Sequence, residues 1–383
     1  MEQSNTTDHH VVLSYGDVFR QSGYRTKVLG ELLEYEKGGP LTPVLIAFDR
    51  DAEQLAQTDL GGVAVYAHRR KDVLRYYSDI QRLSAIGRIR IVHAHNLYSG
   101  ALALSARWLY GYRVLVELHG RIPEEYVILG KGGRLWGWIL RRLESWVIQS
   151  ADHVIPISSK LKEYLVEAYH LPPSRLTVIP DCADPQVFQW NPQLRKATRA
   201  RMKLDDRFVC VHLGSVFIWY DPDLIVRVFQ KIRDRVPSAH LLTVTEDADR
   251  TRDYLKERIP PEAFTVLGVP HSEVPALLAA SDLGFLLLRS TPNIQVSSPA
   301  KFSEYVNSGL PVLITPQVGD FSSMVAQNGI GAIVTDDGHF DVRIIDEVLC
   351  SRDVFAQRSM EAGKQLSWEA WRSAWTTAIE SLM

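Results

Sequence analysis

Short apolar runs alternate with amphipathic segments along this chain, and the alternation restarts once, near Asp206. Few folds tolerate that pattern, because strands that alternate with helices build parallel sheets covered by helices on both faces. In the first half, VVLSY (11–15), PVLIAF (43–48), GVAVY (62–66), RIVHAH (90–95), RVLVELH (113–119) and HVIPIS (153–158) read as strands, and RLTVIP (175–180) as a further short one. Helical periodicity fills the intervals, as in TKVLGELLEYE and RLWGWILRRLESWVIQSA. In the second half FVCVHLG (208–214), AHLLTVT (239–245), AFTVLG (263–268), LGFLLL (283–288), PVLIT (311–315) and GAIVT (331–335) repeat the theme. At 383 residues the chain is too long for one ordinary core. Two doubly wound α/β units are expected, over residues 1–183 and 184–365. A last helix over 366–383 is expected to return to the first unit. Its Trp368, Trp371 and Trp375 fall at helical spacing and read as a packing face.

Composition narrows the function. A formal net charge of −2 gives no reason to expect a nucleic-acid partner. Cys182, Cys210 and Cys350 are far apart and lack metal-ligand spacing, so neither a disulfide framework nor a structural zinc is expected. The start, MEQSNTTDHH, is polar, and no apolar run reaches the length of a spanning helix, which predicts a cytoplasmic protein. A GxGxxG after the first strand, a GxxxxGK[ST] loop and a GxSxG elbow are all absent, which disfavours dinucleotide enzymes, P-loop NTPases and α/β-hydrolases.

One stretch carries chemistry directly: QVSSPAKFSEYVNSGLPVLI (295–314). Ser298 is suited to cap a helix, Pro299 to be its first residue and Gly309 to end it. Lys301 and Glu304, at i and i+3, then share a face close to a helix N-terminus, where unpaired N–H groups and the dipole favour an anion. A cation, a carboxylate and a helix N-terminus suit a phosphorylated, hydroxyl-bearing ligand such as a nucleotide sugar.

Taken in order, SADHVIPISSKLKEYL (150–165), LTVIPDCADPQVF (176–188), HLGSVFIWYDPDLIVRVF (212–229), LGVPHSEVPALLAASDLGFLL (267–287) and SSPAKFSEYVNSGLPVLIT (297–315) resemble the GT-B glycosyltransferases of retaining family 4. The resemblance implies two Rossmann-like domains facing across a cleft. It also implies transfer of a sugar from a nucleotide-sugar donor to an acceptor hydroxyl with retention, without a cofactor or an obligatory metal. By this resemblance His119, in the His119-Gly120 turn, faces the donor sugar as the catalytic histidine. Glu304 grips the ribose, Gly214 and Ser215 form the glycine turn, and Ser298, Lys301 and Arg289 meet the phosphates. The acceptor falls to the first domain, through the loop SYGDVFRQSGYRTKV (14–28) with Gly23, Arg20, Arg25 and Lys27, and through Glu124 in a long loop over 119–137. Glycan, lipid-linked saccharide and small-molecule acceptors all remain open.

The chain also departs from the family. Val296 stands where the first glutamate of the Glu-x7-Glu motif is expected, and Ser215 and Tyr220 stand where phosphate-binding cations are common. Three readings follow: Lys301 and Arg289 supply the charge, the helix N-terminus carries most of it, or the protein binds without transferring sugar. Finally, RLWGWILRRLESWVIQ carries Trp136, Trp138 and Trp146 beside Arg134, Arg141 and Arg142. Its composition suits peripheral contact with a membrane, whereas the resemblance implies a buried packing helix.

Overall fold

The computed structural model describes residues 7–16, 18, 23–37, 39–56, 60–130 and 133–383. They form two compact units, residues 1–181 with 368–383, and residues 182–367. The expected contribution of Arg20 lies outside the described residues.

The first unit holds β1 (Thr7–Tyr15), β2 (Thr42–Asp49), β3 (Ala64–Arg69), β4 (Gly87–His95), β5 (Arg113–Leu118) and β6 (His153–Pro156). They hydrogen-bond in the order β3-β2-β1-β4-β5-β6, every pair parallel. Buried on both faces, such strands must be near-continuous apolar runs, as VVL in β1 and VLIAF in β2 are. Helix Gly23–Glu36 packs against helix Trp368–Glu380, where Trp375 meets Tyr35 edge-on at 4.8 Å and Gly30 leaves room for the Trp368 ring.

The second unit holds β7 (Phe208–Leu213), β8 (Ala239–Val244), β9 (Phe264–Leu267), β10 (Leu283–Leu286), β11 (Val312–Ile314) and β12 (Gly331–Ile333). Its order, β12-β11-β10-β7-β8-β9, is the same winding as the first. In each sheet the chain reverses direction beside its first strand, between β1 and β4 and between β7 and β10. Open α/β sheets bind ligands beyond the carboxyl ends of their strands at that reversal.

Three local expectations need correction. Residues 175–180 make only an isolated bridge, Val154 to Leu176. Thr177 N and Ile179 N donate to the carbonyls of Val154 and Pro156, but Pro156 has no N–H to return the next bond, so the ladder stops. The loop over 119–137 contains a helix, Ile122–Ile128, started by Pro123 with Glu124 and Glu125 in its first turn. The helix of the 295–314 stretch runs Ala300–Asn307 with Pro299, not Ser298, at the cap position. The far end is as expected, with Gly309 in the left-handed region at φ +72.

Candidate functional site

In the second unit the residues singled out from sequence gather at the carboxyl ends of β7 and β10. Gly214 follows β7 at φ +95, and its N–H continues the ladder to Val244 O at 2.7 Å. A Cβ added there would lie 2.6 Å from Lys301 Cε and 2.9 Å from Lys301 Nζ, so the lysine side chain is laid directly over the glycine. Helix Ala300–Asn307 is held in place by Tyr305, whose hydroxyl accepts from Leu213 N at 3.0 Å and donates to Phe285 O at 3.3 Å. One buried phenol thus pins the helix to both strands flanking the reversal.

His212, at the end of β7, records the lysine's charge. Burial, then the Lys301 ammonium, lowers its pKa to about 3, so it is a neutral ring near neutral pH. Ser215 Oγ accepts from Phe217 N at 3.3 Å and shapes the turn after Gly214. Tyr220 is buried edge-on against His212, and Arg289 Nε donates to Tyr220 O at 2.6 Å, so the arginine is tied to the backbone of the same loop.

Glu304 is nearly buried and its Oε1 lies 2.8 Å from His271 Nε2. The sequence reading missed His271; a histidine opening the turn that leads to helix Val274–Ala280 was the available signal. A carboxylate has about four acceptor positions, so the contact with His271 is compatible with further hydroxyl partners. Ser298 and Val296 are both buried in the loop before the helix. That loop is braced by Gly319, whose N–H donates to Ile294 O at 3.1 Å and whose added Cβ would stand 1.9 Å from Ser297 O.

The first unit presents a different constellation at the equivalent end of its sheet. His93 and His95 share one side of β4, Glu117 and His119 the same side of the β5 segment, and the register sets His95 beside Glu117. Helix Gly23–Glu36 adds Lys27 and Glu31 one turn apart. Lys27 Nζ lies 2.9 Å from Glu31 Oε1 and 3.2 Å from Glu117 Oε1, and donates to the carbonyls of Ile179 and Pro180 at 3.0 Å each. His93 Nε2 is 3.2 Å from Glu117 Oε2, and His119 Nε2 is 3.3 Å from His95 Nδ1 and 3.7 Å from Glu117 Oε1.

Chemically, Glu31, His93, His95 and Glu117 are a metal-type donor set, with ligand atoms within 4.8 Å of one another. The Lys27 ammonium, between the two carboxylates, stands where a cation would. Burial favours a neutral Glu117, but Lys27 and the neighbouring histidines outweigh it and hold the carboxyl well below the usual range. Glu31 is pushed the other way, by burial and then by the Glu117 charge. The shared site thus favours ionisation of Glu117 and disfavours that of Glu31. Burial lowers the His119 pKa to about 4, Glu117 opposing, so the ring is neutral at physiological pH.

The remaining first-unit residues are placed differently from one another. Gly23 opens helix Gly23–Glu36, and Arg25 Nη1 donates to Val18 O at 3.3 Å. Lys27, expected to meet ligand anions, is instead buried in the ion pairs above. Glu124 pairs with Arg121 at 2.8 Å.

Comparison with known proteins gives these geometries a lineage. Residues 12–182 match the family described as a glycosyl transferase 4-like domain. The D-inositol 3-phosphate glycosyltransferase of Thermobispora bispora is 25% identical over 179 residues, 46% of this chain and 39% of that protein. The protein of the same name from Nocardioides sp. is 26% identical over 193 residues, 48% of this chain and 39% of its own. The matched stretch therefore spans well under half the length of these relatives. Among solved structures, Anabaena HepE in complex with UDP superposes with TM-score 0.74 at 14% identity, covering 97% of this chain and 99% of that one. Sucrose-phosphate synthase from Thermosynechococcus elongatus gives 0.72 at 15%, covering 98% and 99%. The fold is GT-B. The first unit carries a glycosyl transferase 4-like domain. In the second unit Val296 is buried where the resemblance implies the first motif glutamate, and Tyr220 is buried where it implies a cation.

Proposed function

We propose that the protein transfers a sugar from a nucleoside-diphosphate sugar to an acceptor hydroxyl, with retention of configuration. The observation that carries the reading is Lys301 laid over Gly214, with Glu304 one turn further along a helix whose N-terminus opens at the carboxyl end of the sheet. In this reading the diphosphate takes Lys301, the Gly214–Ser215 backbone and the first N–H groups of helix Ala300–Asn307, with Arg289 at the rim. A leaving diphosphate gathers negative charge in the transition state, and a preorganised ammonium and helix dipole stabilise it. Glu304 accepts from the ribose hydroxyls, as carboxylates do. His119, a neutral ring near physiological pH, is the group of the first domain assigned to the sugar in this reading. The acceptor falls to the first domain through Gly23, Arg25 and Glu124, and Anabaena HepE, solved with UDP-glucose, is a structural precedent for the donor class. The acceptor class extends from glycans and lipid-linked saccharides to small molecules. No metal or cofactor takes part, and the compartment is the cytoplasm.

Buried Tyr220 and Val296 favour a second reading, a protein that binds a nucleotide without transferring sugar, because Tyr220 supplies no cation to a phosphate and Val296 no carboxylate to a hydroxyl. A thermal-shift screen with UDP, GDP, ADP, CMP and dTDP, with and without EDTA, tests the donor site, since a ligand of the native state raises the melting temperature. One nucleotide stabilising the wild type in EDTA, and weakened in Glu304→Ala, is the expected result. Absence of any shift overturns the donor site. Release of free sugar from the matching nucleotide sugar, followed by mass spectrometry, then separates transferase from binding protein.

A further inference from the structure

Glu304 is held at one carboxylate oxygen and open at the other. Its Oε1 lies 2.8 Å from His271 Nε2, and among the described residues no hydrogen bond or ion pair engages Oε2. An ionised carboxylate only accepts, so the proton in this contact belongs to Nε2. The side chain of Glu304 is 7% exposed and that of His271 39%. A histidine that exposed is not filling a core, and its ring needs another reason to lie there.

The backbone fixes where that ring stands. After β9 the chain passes through Pro270, extended at ψ 149, into one 3₁₀ turn, His271–Glu273. Glu273 N donates to Pro270 O at 2.9 Å, and Val274 N, at the start of helix Val274–Ala280, donates to His271 O. Val274, Leu277 and Leu278 are buried and anchor the helix. The His271 ring also meets buried Phe188, with centroids 5.6 Å apart at 58°. The donor is therefore fixed, whereas the acceptor has three side-chain torsions whose freedom is lost when a ligand orders it. A hydrogen bond already made to Oε1 takes that loss in the folded protein, before a ligand arrives, and leaves Oε2 to accept from it. Val296 raises the demand on this one carboxylate, since it brings no second one to the loop.

We infer that His271 is a positioning residue, which holds the Glu304 carboxylate through Nε2–H so that Oε2 meets the ribose hydroxyls of the donor nucleotide. The role rests on the donor-site reading and names the residue that readies its ribose contact.

The test is calorimetric titration of the full chain with UDP, GDP and ADP, and with the 2′,3′-dideoxy form of whichever binds. Wild type is expected to prefer the ribonucleotide. His271→Ala should bind it roughly tenfold more weakly, the lower bound for a hydrogen bond to a charged group, and should bind the dideoxy form as wild type does. His271→Gln returns an N–H donor at similar reach and should recover most of the loss. His271→Phe keeps a ring against Phe188 without the donor and should not. On a Glu304→Ala background, His271→Ala should cost nothing further. Equal losses for both nucleotide forms, or recovery by phenylalanine and not by glutamine, overturn the proposal, because packing or a direct ligand contact would then account for the histidine. Nucleotide affinity left unchanged by His271→Ala overturns the positioning role alone and leaves the donor site standing. No binding by wild type overturns the donor site, and the positioning role with it.

Discussion

Gly214→Ala offers a direct probe of the proposed donor site, because two costs can be worked separately from the geometry. The first is conformational. At φ +95 a residue with a Cβ is strained, by about 1–2 kcal/mol on the scale of left-handed backbone. For a unit of this size that lowers the melting temperature by roughly 2–4 °C per kcal/mol. The second is displacement. The new methyl would lie 2.6 Å from Lys301 Cε, and the flexible lysine is the partner that yields. A charged hydrogen bond is worth about 1.5–3 kcal/mol, so moving the ammonium off the diphosphate should weaken binding roughly ten- to hundredfold. Nucleoside binding should change far less. Calorimetric titration of wild type, Gly214→Ala, Lys301→Ala and the double variant with a nucleoside diphosphate and its nucleoside closes the cycle. If the glycine acts by leaving room for the lysine, the double variant binds no worse than Lys301→Ala alone. Additive losses, or a diphosphate affinity unchanged in Gly214→Ala, would refute the reasoning.

Two further outcomes follow from the buried charges. Lys27→Met removes the cation against which Glu117 is ionised, and should cost about 3–5 kcal/mol in urea unfolding. Lys27→Met/Glu117→Gln should recover part of that loss, and a single variant as stable as wild type would refute the pairing. For His212 the folded pKa, about 3, lies below the ordinary 6.5, so its stabilising contribution is complete above pH 6.5 and is lost as pH falls toward 3. Linkage puts the loss near about 2 kcal/mol by pH 5. His212→Phe keeps a ring against Tyr220 and should flatten that part of the pH–stability curve of the second unit; an unchanged curve would sink the assignment.

The strands were legible because a strand buried on both faces has little choice but an apolar run bounded by turn residues. VLIAF and FVCVHL in β2 and β7 are of this kind. Residues 175–180 share the composition and fail as a strand for a reason composition does not carry, the missing N–H of a proline on the neighbouring segment. Ser298 had the right chemistry for a cap but the helix starts a residue later, within the error of any boundary read from residue type. Lys27 misled in the other direction. In a basic loop sequence it suggests a ligand contact, yet its position four residues before Glu31, on a helix packed against β2, puts it in the interior. Two charged residues at i and i+4 normally indicate a solvated face, and only the sheet register reveals Glu117 beneath them.

The departures from the family pattern bear on how the donor site would work. Val296 and Tyr220 are packed into the unit, so the positions that often supply a carboxylate and a cation here supply shape. What remains for a diphosphate is concentrated: one lysine held over one glycine, the first turn of one helix, and an arginine fastened to the backbone of Tyr220. With fewer cations sharing the load, each should matter more. That is why the Gly214–Lys301 pair, rather than the His119 cluster, is the most sensitive place to perturb nucleotide binding. The His119 cluster is built from ion pairs within its own unit and should govern that unit's stability even when no nucleotide is bound.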